Sequence, residues 1–95
     1  MRLIVRPEAE SELLEAIDWY EARSPGLGSG LLRCVDACYQ RLLRQPESYP
    51  VVHRETRMAT VRRFPYLVLY RVRDESIVVV AVFHARRDPK AWMSR

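Results

Sequence analysis

Ile77 to Phe83 is an unbroken apolar run, preceded by the polar turn Asp74-Glu75-Ser76 and, before that, by Leu67-Val68-Leu69. Side chains of a strand alternate between the two faces of its sheet, so a run apolar at every position fills both faces. Such a strand needs cover on both sides. A chain of 95 residues has little with which to provide it. A single domain of this size buries only roughly 60–65% of the surface its unfolded form exposes. The second face, or a groove beside it, is therefore expected to be covered by a partner chain, or by the C-terminal tail folding back with Trp92 as a plug.

The rest of the chain supplies one helical layer. Arg2 to Arg6 alternates polar and apolar, with Leu3 and Val5 inward, and Pro7 ends this short strand. Pro7 also suits the start of a helix, whose first turns carry Glu8, Glu10 and Glu12, favourable to the helix dipole. Ala9, Leu13, Ala16, Ile17 and Tyr20 form its apolar stripe, while Glu8, Glu12 and Glu15 are expected on the opposite, solvated face. Ser24-Pro25-Gly26 breaks the helix. A second helix buries Leu27, Leu31, Val35, Cys38, Tyr39, Leu42 and Leu43, and Pro46 stops it. So short a connection predicts an antiparallel helical hairpin. After the loop Glu47 to Pro50, extended segments are expected at Val51–Arg54, Met58–Arg63, Tyr66–Arg73 and Ile77–His84. The fold class is α+β: an N-terminal strand, a helical hairpin, and a mostly antiparallel sheet of about four strands, in one domain spanning residues 1–95.

Charge is distributed unevenly. Residues 1–50 hold six arginines against eight acids, a net charge of −2, whereas residues 51–95 hold nine arginines and one lysine against four acids, a net charge of +6. Arginine suits planar, forked pairing with carboxylate or phosphate. Antiparallel pairing through the Asp74 turn sets Tyr66 nearly opposite His84, so Arg62, Arg63, His84, Arg86 and Arg87 converge at one end of the sheet. Histidine can move a proton near neutral pH and arginines can stabilise a pentacovalent phosphate, which together describe a metal-independent ribonuclease. The same groups also suit contact with an acidic partner. Gly-x-Ser-x-Gly, a Gly-rich phosphate loop and metal-ligand spacing are all lacking, so no cofactor or metal is expected. Cys34 and Cys38, four apart on one helix face, read as small core residues. No apolar run approaches the roughly 20 residues that span a bilayer, and no secretory signal is evident, so a cytoplasmic protein is expected.

Across its whole length the chain resembles the toxin subunits of type II toxin–antitoxin systems, in the bacterial superfamily that joins ParE and RelE. The matching landmarks are Trp19-Tyr20-Glu21, Gly26-Leu27-Gly28, Pro46 with Tyr49-Pro50, Arg62-Arg63-Phe64-Pro65-Tyr66 with Tyr70, and His84 through Pro89 with Trp92. The resemblance implies a partner antitoxin and one of two targets. RelE-like members cut messenger RNA on the ribosome with arginines, lysines and often a C-terminal tyrosine; ParE-like members act on DNA gyrase. Arg62 matches an interferase arginine, but Leu67 stands where another would fall, no tyrosine follows Tyr70, and Lys90 is the only lysine. These departures favour the ParE side: a stoichiometric gyrase inhibitor neutralised by its antitoxin. Target contact is then expected from Arg62, Arg63, Arg86, Arg87, Lys90 and Trp92, and antitoxin contact from Trp19, Tyr20, Leu67 and Leu69. The alternatives are a ribosome-dependent endoribonuclease using His84, Arg62 and Arg86, and a toxin-like binding module without activity.

Overall fold

The structure, a computed structural model, describes residues 1–95. Strand β1 (Arg2–Val5) leads into helices α1 (Pro7–Arg23) and α2 (Leu27–Arg44). Strands β2 (Val51–His53), β3 (Thr56–Thr60), β4 (Tyr66–Arg73) and β5 (Ser76–His84) follow, then the short helix α3 (Lys90–Met93). One sheet has the order β1-β5-β4-β3-β2. β1 runs parallel to β5, and the other neighbours are antiparallel. The expected α+β fold is present, with the N-terminal strand added beside the four C-terminal ones. Sequence periodicity carried the third strand to Arg63, but it ends at Thr60. Arg62 and Arg63 instead belong to the turn before Pro65, where Arg63 adopts a positive φ of 71°.

The landmarks of the hairpin have local physical causes. Gly26 takes a φ of 89°, which favours glycine, and α2 begins at the next residue. Glu21, near the end of α1, caps α2: its carboxylate accepts the Gly26 N–H at 2.9 Å and the Gly28 N–H at 3.0 Å. These are donors that a helix start otherwise leaves unpaired. At Gly28 the two helices touch so closely that a Cβ would lie 2.6 Å from the Ile17 carbonyl oxygen.

The hairpin covers one face of the sheet. Ala9, Leu13 and Ala16 from α1, and Leu31, Val35, Cys38 and Leu42 from α2, pack with Val68, Tyr70, Ile77, Val79 and Val82. Both cysteines are free thiols, Cys38 buried and Cys34 partly so. Along β5 the pairing slips: Tyr70 faces Val79 while Leu69 faces Ala81, leaving Val80 as an extra residue. This bulge reverses the alternation. Before it Ile77 and Val79 face the helices; after it Val82 does, while Val80, Ala81 and Phe83 face the other way.

That second face is covered by the chain itself. Trp92, only 4% exposed, packs with Leu69, Val80, Ala81 and Phe83, with Met58, Leu67, Val78 and Met93 at the margins. The tail, rather than a partner chain, clothes this side. Trp92 and Leu69 are therefore core residues, which removes Trp92 from the expected target contacts and Leu69, 0% exposed, from the expected antitoxin contacts. The indole sits where a strand apolar on both faces demands cover, so its burial is dictated by packing.

Two buried phenols differ in how they are satisfied. The Tyr70 hydroxyl donates to the Pro46 carbonyl at 2.7 Å and fixes the loop after α2. The Tyr39 hydroxyl is buried with no partner. Burial pushes the Tyr39 phenol far above its usual range and raises Tyr70 to about 12.

Trp92→Ala should cost about 3–5 kcal/mol in denaturant unfolding, the price of an emptied core site, and a loss below ~1 kcal/mol would show that the tail is not packed as described. Tyr39→Phe should stabilise the fold by about 1 kcal/mol, since it removes an orphan hydroxyl. The unfolded chain releases its tyrosine protons near pH ~10, whereas the fold retains them, so stability should fall as pH rises from about 10 toward 12. That fall should be shallower in Tyr39→Phe.

Candidate functional site: a groove and a cationic end of the sheet

β1 stops at Val5 and the Arg6 N–H bonds the Val79 carbonyl, so β5 beyond the bulge has no strand on that side. Side chains take the missing strand's place. The Val82 N–H donates to Glu12 Oε1 at 3.1 Å, and Arg95 donates to the Val80 carbonyl at 3.0 Å. Arg95 also grips Glu12 with both forks, at 2.9 Å to each oxygen, and Arg87 reaches Glu12 Oε2 at 3.4 Å. The Glu12 side chain is only 13% exposed. The expectation that Glu12 lies on a solvated face is thus corrected: it ties α1, β5 and the tail together. Nothing in helical spacing distinguishes it from Glu8, which is exposed. The partner that does, Arg95, is remote in sequence.

Above this clasp lies a groove of about 360 Å³ between α1 and the end of β5, lined by Glu12, Glu15, Ala16, Trp19, Tyr20, Tyr66, Val82, His84 and Arg87. Edge-to-face contacts link its aromatic rings: Trp19 to Tyr20 at 5.0 Å, Tyr20 to Tyr66 at 6.3 Å, and Tyr66 to His84 at 5.3 Å. Tyr20 also meets Phe64 at 5.0 Å, which anchors the Arg62-Arg63 turn to α1. Trp19 is 52% exposed, with the Arg23 guanidinium 4.0 Å above its ring.

Register places the cations as the sequence implied. Tyr66 pairs with His84, and the Ala85 N–H bonds the Pro65 carbonyl, so the 62–66 and 84–87 segments are neighbours. Arg62, Arg63 and Arg86 are exposed. None of the three donates a side-chain hydrogen bond or forms an ion pair, whereas Arg41, Arg57 and Arg95 bond main-chain carbonyls and Arg71 bonds the Thr56 hydroxyl. Arg87 lies 4.5 Å over the Phe83 ring besides reaching Glu12. Lys90 is exposed at the start of α3, on the tail rather than in the groove. Leu67 is half-buried on the far face, away from Trp19 and Tyr20. The expected antitoxin contacts therefore divide between two faces.

Proton chemistry is constrained. His84 Nδ1 accepts the Arg86 N–H at 3.1 Å, which assigns the neutral ring its proton at Nε2. In that form the open nitrogen is a donor. Burial, reinforced by Tyr20, raises the pKa of the Tyr66 phenol and keeps it protonated. The groove thus offers hydrogen-bond donors, aromatic surface and cations.

Removing Arg95 leaves Glu12 short of its best partner. Arg95→Ala should destabilise by about 1–3 kcal/mol, and a double-mutant cycle with Glu12→Gln should return a coupling of at least ~1 kcal/mol. Additive losses would mean that the clasp is not an interacting unit.

The family model described as ParE toxin of type II toxin–antitoxin system, parDE, matches residues 3–89. The protein named Toxin ParE2 in two strains of Mycobacterium tuberculosis is 33% identical over 91 residues, covering 95% of this chain and 87% of that one. A chain of the solved chromosomal ParDE TA system from P. aeruginosa superposes with a TM-score of 0.81 at 18% identity, over 90% of this chain and 97% of that one. Its likeness extends to the fold, with the strand, helical hairpin and open sheet described above. With family match and relative both spanning nearly its full length, this chain belongs to the ParE toxin family of type II toxin–antitoxin systems.

Proposed function

We propose that the protein inhibits DNA gyrase by binding, and that a cognate antitoxin neutralises it by docking along the α1–β5 groove. One observation carries the target reading: Arg62, Arg63 and Arg86 stand together at one end of the sheet with no side-chain hydrogen bond or ion pair inside the molecule. Cations left unpaired beside aromatic surface suit a large acidic or phosphate-bearing target. Family membership supports gyrase as that target and an antitoxin as the partner. Action by binding is favoured over catalysis because proton-transfer groups of the interferase pattern are missing: Leu67 stands where an arginine would fall and no tyrosine follows Tyr70. Arg87 joins the target surface from its place beside Glu12, and Lys90 extends it along the tail.

For the antitoxin, Trp19 and Tyr20 are the proposed anchors. Trp19 is a large exposed aromatic at the groove rim, the residue type that most often dominates an interface. Glu12 and Glu15 on one wall and His84 and Arg87 on the other offer a docking segment both signs of charge. Leu67, on the opposite face, would serve only an antitoxin long enough to wrap around the sheet edge.

Purified protein incubated with gyrase, ATP and supercoiled plasmid should yield gyrase-dependent linear DNA. Arg62→Ala with Arg86→Ala should reduce that product about tenfold or more, equivalent to at least ~1.4 kcal/mol of binding, while circular dichroism stays unchanged. Codon-site cleavage of message on translating ribosomes, lost in His84→Ala, would replace this reading with the ribonuclease one. Inactivity in both assays would leave an antitoxin-binding module. Trp19→Ala should weaken antitoxin binding by about 2 kcal/mol in calorimetry.

A further inference from the structure

Two arginines compete for one carboxylate. Glu12 Oε1 accepts the Val82 N–H at 3.1 Å and one Arg95 nitrogen at 2.9 Å. Oε2 accepts the other Arg95 nitrogen at 2.9 Å and an Arg87 nitrogen at 3.4 Å. A carboxylate has about four lone-pair positions, and here all of them are in use. Arg95 takes two and bonds the Val80 carbonyl as well. Arg87 holds the last one through a single nitrogen, at the longest of these distances.

The two pairs differ in kind. The Arg95 side chain is 17% exposed and the Arg87 side chain 55%, against 13% for Glu12. A two-armed pair shielded from solvent is strong and directional, whereas one long contact from an exposed guanidinium is weak. The hydrogen bond to Glu12 raises the Arg95 pKa, although burial opposes it. Arg87 makes no other hydrogen bond; it lies 4.5 Å over the Phe83 ring, in the wall of the groove and next in sequence to the exposed Arg86. Without Arg95, two lone-pair positions of Glu12 would open beside a guanidinium already 3.4 Å away. The fork of an arginine is shaped to fill both.

We propose that Arg95 is a positioning residue: by occupying Glu12 with both arms it leaves Arg87 loosely held, so that the Arg87 fork stays available to the target. The consequence for the target rests on the gyrase reading; the competition itself does not. The clasp therefore does more than close the edge of β5. It decides whether Arg87 joins Arg62, Arg63 and Arg86 as a cation open to contact from outside. Loss of Arg95, which points into the clasp and away from the target surface, would withdraw Arg87 from that surface through Glu12.

The Nη resonances of Arg87 in the full chain report the competition without gyrase. A loosely held guanidinium rotates about its Nε–Cζ bond and averages its Nη signals; a two-armed pair slows the rotation and splits them. The signals should be averaged in the unaltered chain, split in Arg95→Ala, and averaged again when Glu12→Gln is added. Signals that stay averaged in Arg95→Ala, or that are already split in the unaltered chain, overturn the proposal. In the gyrase assay Arg95→Ala should lose about fivefold or more of the linear DNA, close to the loss in Arg87→Ala, and the two together should cost no more than either alone. Glu12→Gln keeps an oxygen for the Val82 N–H but gives up the charge, so it should restore activity to Arg95→Ala. A residue needed only for the fold would leave that double variant as impaired as Arg95→Ala or worse, and this result also overturns the proposal. Should Arg95→Ala fail to fold, Arg95→Lys, which keeps the charge without the fork, gives the same test with a smaller loss. Full activity in Arg87→Ala would fail the gyrase reading of that arginine, while split signals in Arg95→Ala would still support the competition.

Discussion

β5 has to be covered twice, and the rest of the structure follows from how that is done. It sits between β1 and β4, apolar on both sides, in a sheet whose helices lie on one side only. The bulge at Val80 rotates the end of the strand so that Val82 still faces the helices while Val80, Ala81 and Phe83 seat Trp92. The tail is thereby drawn across the far face. Its Arg95 reaches round to Glu12 at the open edge, where β1 has already given way to α1. Core cover, edge protection and the placement of Arg87 are linked through one carboxylate. An unpaired edge is an invitation to adventitious strand pairing, and here it is closed by a carboxylate and a guanidinium acting in place of peptide groups.

The arginine-rich half divides into two kinds of residue. Arg41, Arg57 and Arg95 bond main-chain carbonyls and Arg71 bonds the Thr56 hydroxyl, and so they belong to the architecture. Arg57 bonds both Glu47 and Tyr49 and, with the Tyr70 hydroxyl on Pro46, pins the loop after α2. Arg54, Arg62, Arg63 and Arg86 do none of this. Arg54 and Arg63 occupy turn tips at positive φ, where Gly or Asn would be the cheaper choice. Net charge alone does not separate these groups; hydrogen bonding does.

The helices, their apolar stripes and the register of β4 against β5 are legible because each rests on local periodicity and on one tight turn. The convergence of Tyr66 with His84 follows from that register, as does the grouping of the 62–63 and 84–87 cations. What was not legible is non-local. The bulge at Val80 leaves no trace in a run where every residue is apolar. Trp92 reads equally as an exposed anchor or as a plug, and only the packing of Val80, Ala81 and Phe83 decides. Glu12 reads as one more acid on a helix because its two cationic partners lie at positions 87 and 95. Glu21 and Gly28 formed part of the family resemblance, and their physical reasons, a cap and a helix contact, emerge only once the two helices are set together.

The parallel pairing of β1 with β5 joins the first residues of the chain to some of the last. The hairpin of α1 and α2 can form from near neighbours as soon as it is synthesised, but Arg2–Val5 must wait for Ser76–Val79. Contacts that span most of a chain slow its folding, and parallel ones more so. During translation the toxin therefore remains an incomplete sheet until its tail emerges. Assembly of the Arg62–Arg86 surface, which depends on β4 meeting β5, is one of the last events in the making of the molecule.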